Sequence, residues 1–210
     1  MSYLYTLNYE DAKEKFEYFL DHYRGVNYIK SANHKLAWIA FLQNDTKQKN
    51  IYFDRVISNG SAFIDEDKVA LKDAQRNYIS HPILLKTRLL YDGGNYSLAL
   101  SKLQEIDATE YFSFEKNEIE YWYRLARIES KLDSSSKEIV KYYKKALVKG
   151  RYLSSYYAPM SALQIGLIYE KENDFQQAEL YFKECLAMSG FDYERGIHQK
   201  AKAGIERISD

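Results

Sequence analysis

The segment from Ala162 to Gly190 constrains the fold most strongly, because two successive stretches repeat their apolar residues at helical spacing. In the first stretch the small or apolar residues fall at i, i+3, i+4 and i+7, and they are Ala162, Ile165, Gly166 and Tyr169. In the second stretch they fall at i, i+3, i+4, i+7 and i+8, and they are Ala178, Tyr181, Phe182, Cys185 and Leu186. This spacing lines one face of an α-helix. The segment therefore predicts a helical hairpin.

The residues between and inside the two stretches support this prediction. Asp174 is a favoured N-cap, and Gln177 follows it at the spacing of a capping box. Gly190 is predicted to be the C-cap of the second helix. Gly166 lies within the apolar face, where glycine costs about 1 kcal/mol of helix propensity relative to alanine. A glycine there predicts that the second helix approaches the first closely.

The same pattern recurs upstream at a long period. The clearest small positions are Ala99, Ile139 and Ala178, which are 40 and 39 residues apart. Hairpins are predicted near 28–58, 82–107, 115–149 and 158–189, and a terminal helix near 192–208. Residues 8–23 form a further helix that only seven residues precede, so we expect a chain that starts part-way through a repeat, as a fragment of a longer protein.

The most regular unit resembles the tetratricopeptide repeat (TPR), whose motif is W-x2-L-G-x2-Y, then A-x3-F, then P. Here Ala162-x2-Ile165-Gly166-x2-Tyr169 is followed by Ala178-x3-Phe182, with Ala162 in place of Trp and Gly190 in place of Pro. The whole chain resembles bacterial TPR proteins with extended repeats. HEAT-like repeats have a similar period, but the order of the motif fits TPR better. The resemblance implies one all-α domain over 1–210, a right-handed α-solenoid of antiparallel helical hairpins.

Such a solenoid would present a concave surface lined by its first helices, where repeat proteins bind partners. Helical spacing predicts the side chains of that surface, namely His34, Trp38, Leu84, Arg88, Tyr91, Tyr123, Arg124, Arg127, Leu163 and Leu167. This mixture of arginine and aromatic residues suits a peptide with acidic and apolar side chains. We therefore expect a protein or peptide partner of unknown identity.

Composition excludes several other classes of function. The chain has 30 basic and 30 acidic residues, so net charge favours neither nucleic acid nor a membrane surface. The four histidines are scattered without metal-ligand spacing and are expected at the surface or at packing edges. Cys185 lies on an apolar helix face and is expected to be a buried, inert thiol. No catalytic constellation and no cofactor motif is recognised, so we expect a protein that is not an enzyme.

One local cluster is strongly basic, comprising Lys141, Lys144, Lys145, Lys149 and Arg151. Tyr142 and Tyr143 are interleaved with it, a pattern that also suits RNA or anionic lipid. We interpret the cluster as the solvated face of a second helix, because no other basic stripe accompanies it.

The sequence therefore favours a non-catalytic interaction scaffold. One alternative is a structural or self-assembly segment of a longer protein, associating through the N-terminal helix, unless Tyr3, Leu4, Tyr5 and Leu7 build a cap over it. Another alternative is an accessory region of an enzyme. No apolar run approaches a membrane span, and the first residues lack the features of a signal peptide. We expect a soluble chain, either cytoplasmic or exported with its signal removed.

Overall fold

The structure is a computed structural model that describes residues 1–106, 115–132 and 134–209. Every regular element in these residues is a helix, which confirms the all-α prediction. The chain folds into two compact units, Met1–Asn95 and Tyr96–Asp210, each with its own cluster of buried apolar residues. The expectation of a single repeat domain stays a prediction.

The first unit contains six helices, which are α1 Ser2–Tyr5, α2 Tyr9–His22, α3 Ile29–Leu42, α4 Thr46–Ser58, α5 Asp65–Gln75 and α6 Pro82–Asp92. Helix α3 is central, since it packs against α2, α4 and α5. Its apolar residues Leu36 and Ile39 join Phe53 and Val56 of α4 in one buried cluster.

The N-terminal residues form a cap over this cluster. Leu4 is completely buried within it, and α1 packs against both α2 and α6. The partly buried side chains of Phe16 and Leu20 on α2 also pack against the cluster. The apolar face of α2 is therefore covered within the first unit, by α3 and by the first residues of the chain, and self-association through α2 stays a prediction.

Two buried charges hold helix ends together over long sequence distances. The carboxylate of Asp67, which is 0% exposed, accepts hydrogen bonds from the backbone N–H groups of Tyr28 (2.7 Å) and Ser31 (2.8 Å) at the start of α3. The buried ammonium of Lys30 donates to the carbonyl oxygens of Val56 (2.6 Å) and Ile57 (3.2 Å) at the end of α4. Each charge has the sign that the helix dipole favours, a carboxylate at the N-terminus of α3 and an ammonium at the C-terminus of α4. The sequence pattern does not reveal either contact.

Replacing Asp67 by alanine is expected to lower the free energy of unfolding of the first unit by about 2–3 kcal/mol, because two backbone donors lose a charged acceptor. Trp38 lies in this unit and Trp122 in the other, so a Trp122→Phe background lets Trp38 fluorescence follow urea unfolding of the first unit alone. The matched control is Asp65→Ala, which removes an exposed carboxylate from the same first turn of α5. Equal effects of the two substitutions would contradict the role assigned to Asp67.

The second unit contains α7 Tyr96–Leu103, α8 Glu115–Glu129, α9 Ser136–Gly150, α10 Tyr157–Lys171, α11 Phe175–Leu186 and α12 Glu194–Ser209. From α7 onward each helix packs against the next, and α10 also packs against α8 and α12. The predicted segments 115–149, 158–189 and 192–208 therefore correspond to observed helices. The predicted pair near 82–107 is split, since α6 and α7 belong to different units and residue 107 lies outside the described residues.

The same turn follows five helices. In each, a residue with positive φ precedes a residue whose backbone N–H donates to the carbonyl five residues earlier, as in a Schellman motif. The five pairs are Leu7 and Asn8, Asn44 and Asp45, Asn77 and Tyr78, Gly94 and Asn95, and Asn173 and Asp174. The side chains of Asn8, Asp45 and Asp174 then cap the following helix, as predicted for Asn8 and Asp174.

The prediction for Gly190 is wrong. Helix α11 ends at Leu186, and its C-cap is Ala187. The helix ends early because Met188 and Phe191 turn into the core. Gly190 lies instead before α12, with a φ of 79°, and its N–H donates to the carboxylate of Glu194 at 2.7 Å.

The close approach expected at Gly166 is present. A Cβ atom added to Gly166 would lie 2.5 Å from the ring of Phe182. A Cβ atom added to Gly204 of α12 would also lie 2.5 Å from that ring. The fully buried Phe182 ring therefore fits between two glycines on two different helices.

Candidate functional site

The predicted partner residues of the first unit mostly serve packing. His34 and Trp38 on α3 are buried, as is Leu84, whereas Arg88 and Tyr91 on α6 are partly exposed. The indole N–H of Trp38 donates to Nε2 of His34 at 3.0 Å. The surface position expected for His34 is therefore wrong, because its ring nitrogen serves as the acceptor for a buried indole. Burial, followed by the charges of Lys35 and Arg88, holds the pKa of His34 well below its usual value.

Two cationic side chains make cation–π contacts with the indole of Trp38. The ammonium of Lys35 lies 3.6 Å from the ring centroid, and the guanidinium carbon of Arg88 lies 5.1 Å from it. Arg88 is also 3.7 Å from the carboxylate of Asp92, one helical turn further along α6. Lys35 was not among the residues predicted from the sequence, since a single lysine beside a tryptophan gives no signal of its own.

The predicted partner residues of the second unit also include both buried and partly exposed side chains. Tyr123, Arg124 and Leu163 are buried, whereas Arg127 and Leu167 are partly exposed. The guanidinium of Arg124 donates from Nε to the carboxylate of Glu120 at 2.7 Å, and its terminal nitrogen donates to the same oxygen. Burial disfavours the charge of Arg124, but the interactions with Glu120, Tyr157 and Tyr156 together outweigh burial, and the pKa of Arg124 is raised. A partner surface at the exposed members stays a prediction.

A surface depression lies along α9. It is a groove of about 640 Å³, lined by five lysines, by three smaller residues, by Tyr169 of α10 and by Glu172, the C-cap of that helix. The lining residues are Ser136, Lys137, Val140, Lys141, Lys144, Lys145, Val148, Lys149, Tyr169 and Glu172. We call this the lysine groove. Four of the five residues of the predicted basic cluster line it, whereas Arg151 instead pairs with Glu184.

The charges of the lysine groove are only partly neutralised. Lys149 pairs with Glu118 at 2.8 Å, and the ammonium of Lys145 lies 3.5 Å from the ring centroid of Trp122. Burial, then the nearby charge of Lys141, lowers the pKa of Lys145. Within the described part of the chain, Lys137 and Lys141 form no ion pair, and both are exposed. The groove therefore carries mutually repelling cations that an anionic ligand would stabilise.

The tyrosines interleaved with these lysines are already engaged. Tyr142 stacks on Trp122 at a centroid distance of 6.0 Å and an interplanar angle of 13°. Tyr143 is buried in the core between helices. Tyr143 therefore cannot stack on a nucleic-acid base, and one face of the Tyr142 ring is already occupied. The apolar part of the groove comes instead from aliphatic side chains, including Val148, which is 69% exposed.

The described residues were also searched for a reactive thiol, a metal site and a membrane-spanning helix. Cys185 is buried as predicted, and burial raises the pKa of its thiol to about 12. In residues 1–106, 115–132 and 134–209 no three His, Cys, Asp or Glu side chains are grouped to hold a metal ion. None of the helices described there has the length and apolar character needed to cross a membrane.

Comparison with known proteins gives no relative from which a function could be transferred. No protein-family model, no curated protein and no solved structure matches the chain. The residues of the lysine groove and their surroundings are therefore the basis for a functional argument.

Proposed function

We propose that this chain is a non-catalytic interaction scaffold, and that the lysine groove binds an acidic segment of a partner protein. The observation that carries this proposal is the charge of the groove. Five lysines and one glutamate line it, and Lys137 and Lys141 have no ion pair within the described part of the chain. An acidic partner would relieve the repulsion among these cations and cover the exposed Val148.

The spacing of the lysines suits a helical segment. Lys137, Lys141, Lys144 and Lys145 lie one and two turns apart on α9, and Lys149 extends the row. The row is about 18 Å long at 1.5 Å rise per residue. Acidic residues on one face of a partner helix repeat at the same interval, with apolar residues beside them. Such a segment places carboxylates against ammonium groups and aliphatic side chains against the valines.

A protein partner is favoured over nucleic acid for two reasons. Single-stranded nucleic acids use stacking platforms, whereas the tyrosines at the groove are already stacked, Tyr142 on Trp122 and Tyr169 on Tyr181. The carboxylate of Glu172 at the rim would repel a continuous phosphate backbone, but a peptide can avoid it by its choice of side chain.

The scaffold itself is proposed to be a right-handed solenoid of TPR-like repeats. Support comes from the turn that follows five helices and from the order of helix packing in the second unit. The contact between Gly166 and Phe182 joins the two motif positions that prompted the resemblance. Partner contacts at Arg88 and Tyr91 of the first unit, and at Arg127 and Leu167 of the second, remain part of this proposal.

The proposal predicts binding of a synthetic amphipathic helix of about four turns with glutamates along one face. Fluorescence anisotropy is expected to show an affinity that weakens as ionic strength rises, because surface charges are screened. The double substitution Lys137→Glu/Lys141→Glu should weaken binding at least about tenfold, or 1.4 kcal/mol.

The matched control is Lys200→Glu/Lys202→Glu on α12, which makes the same change in net charge on exposed lysines outside the groove. This variant should bind the peptide almost as the original chain does. A peptide with glutamine in place of glutamate tests whether carboxylates are needed. Equal weakening by both lysine pairs, or tighter binding of a single-stranded oligonucleotide of equal charge, would contradict the proposal.

A further inference from the structure

The apolar face of α2 is covered, but a different face of the same helix carries a row of acidic side chains. Glu10, Glu14, Glu17 and Asp21 fall at i, i+4, i+7 and i+11, so they share that face. Three of them are exposed, and Glu17 is partly exposed. We call these four residues the acidic row. No other helix in the described part of the chain has four acidic residues on one face.

The charges of the acidic row are only partly compensated. Glu10 and Glu17 accept hydrogen bonds from neutral donors, which are the side-chain amide of Gln43 (2.9 Å) and the hydroxyl of Tyr52 (3.0 Å). Within the described residues Glu14 is the one member in an ion pair, with the adjacent lysine at 2.6 Å. Since that pair is exposed, it contributes little. The acidic row therefore concentrates negative charge on a chain whose net charge is zero.

The acidic row matches the lysine groove in spacing and length and is opposite to it in charge. In the groove Lys137, Lys141, Lys144 and Val148 also fall at i, i+4, i+7 and i+11. The acidic row is about 17 Å long at 1.5 Å rise per residue, compared with about 18 Å for the lysines. Tyr18, which is 61% exposed, lies beside the acidic row, as the exposed Val148 lies among the lysines. Each surface therefore offers the other opposite charges and an apolar contact.

The acidic residue of the groove lining is also compatible with α2. Glu172 would repel a partner whose charges are all negative. Lys13 and Lys15 flank the acidic row on the surface of α2, so this helix offers Glu172 a cation as well.

We propose, on the basis of the function proposed above, that the occupant of the lysine groove is the acidic row of a second copy of this chain. The acidic row belongs to the first unit and the groove to the second, so each copy has one of each. Contact between two different surfaces is a heterologous, head-to-tail interface, which closes into a ring or extends as an open row of copies. One helix in a groove buries less than a standard interface of about 1,600 Å², so the association should be weak.

Sedimentation velocity of the whole chain at micromolar to high micromolar concentration measures this association. At an ionic strength of about 0.1 M the sedimentation coefficient should rise with concentration, and at about 1 M it should stay that of a monomer, because salt screens surface charges. The double substitution Glu14→Lys/Asp21→Lys should raise the dissociation constant at least about tenfold. The matched control is Asp54→Lys/Glu206→Lys, which makes the same change in net charge on exposed carboxylates outside α2 and the groove. This control should associate like the original chain.

A mixing experiment tests whether the two surfaces bind each other. Lys137→Glu/Lys141→Glu changes the groove and leaves the acidic row intact, whereas Glu14→Lys/Asp21→Lys does the reverse. Each variant alone should stay monomeric, but an equimolar mixture should form 1:1 dimers and no larger species, since one complementary pair of surfaces remains. A mixture that stays monomeric would overturn the proposal, and so would association of the original chain that both variants retain.

Binding of the synthetic glutamate helix separates this proposal from the function on which it rests. If the chain stays monomeric at high micromolar concentration but still binds that helix, α2 is not the occupant, while the groove does bind acidic segments. If copies associate through the groove, an excess of the synthetic helix should dissociate them, because both occupy the same lysines. Oligomers that persist in this excess would contradict the proposal.

Discussion

Replacing Glu120 by alanine is expected to lower the free energy of unfolding of the second unit by about 3–5 kcal/mol, because it leaves the guanidinium of Arg124 buried without its counter-charge. Arg124 is 3% exposed and Glu120 is 0% exposed, so solvent cannot replace the lost carboxylate. In a Trp38→Phe background, the fluorescence of Trp122 during urea unfolding reports this loss in the second unit alone.

The double variant Glu120→Leu/Arg124→Leu should be much less destabilised than Glu120→Ala, since no buried charge remains. Glu118→Ala, two residues earlier on α8, removes a partly exposed carboxylate that pairs with Lys149 and should cost about 1 kcal/mol or less. If Glu120→Ala costs no more than Glu118→Ala, the buried ion pair does not stabilise the unit as inferred.

Replacing Phe182 by alanine is expected to cost about 3–5 kcal/mol, because its fully buried ring would leave a cavity in the packing of α10, α11 and α12. The opposite change tests the same contact. Gly166→Ala or Gly204→Ala adds a methyl group against the ring and should cost about 1–3 kcal/mol in spite of the higher helix propensity of alanine.

The chain offers a matched control for these glycine substitutions. Gly196 also lies in α12, but nothing is within 4 Å of an added Cβ atom there. Gly196→Ala should therefore raise the free energy of unfolding by up to about 1 kcal/mol. In the double variant Gly204→Ala/Phe182→Leu the smaller side chain leaves room for the added methyl group. The two destabilising effects should therefore sum to less than the total of the single variants. A stabilising effect of Gly204→Ala in urea unfolding would show that the ring moves aside freely.

Local signals made much of the helical structure predictable. The periodic apolar residues and the caps at Asn8 and Asp174 locate their helices to within about two residues, the usual uncertainty of helix ends. Gly166 was informative because a glycine inside an apolar helix face requires a close neighbour. The prediction that Gly190 is a C-cap was wrong because a glycine with positive φ is equally suited to the end of one helix and to the loop before the next.

The surface was less predictable, for a physical reason. Helical spacing identifies the side of a helix on which His34 and Arg124 lie, but burial depends on what packs there. Each of these polar residues has a partner one turn away, Trp38 and Glu120 respectively, and could be buried at little cost. For the lysine groove the spacing from Lys137 to Lys149 was visible in the sequence, but the depression between α9 and α10 was not.

The contact of Asp67 with the start of α3 also has a kinetic consequence. The two bonded positions are 39 and 36 residues apart, so the first turn of α3 is completed by a residue that the chain supplies only after α4. Closing so long a loop costs entropy before the contact forms. We therefore expect Tyr28, which has a φ of 66°, to be fixed only when α5 has docked. The start of the central helix is then expected to form late in the folding of the first unit, although it stands early in its sequence.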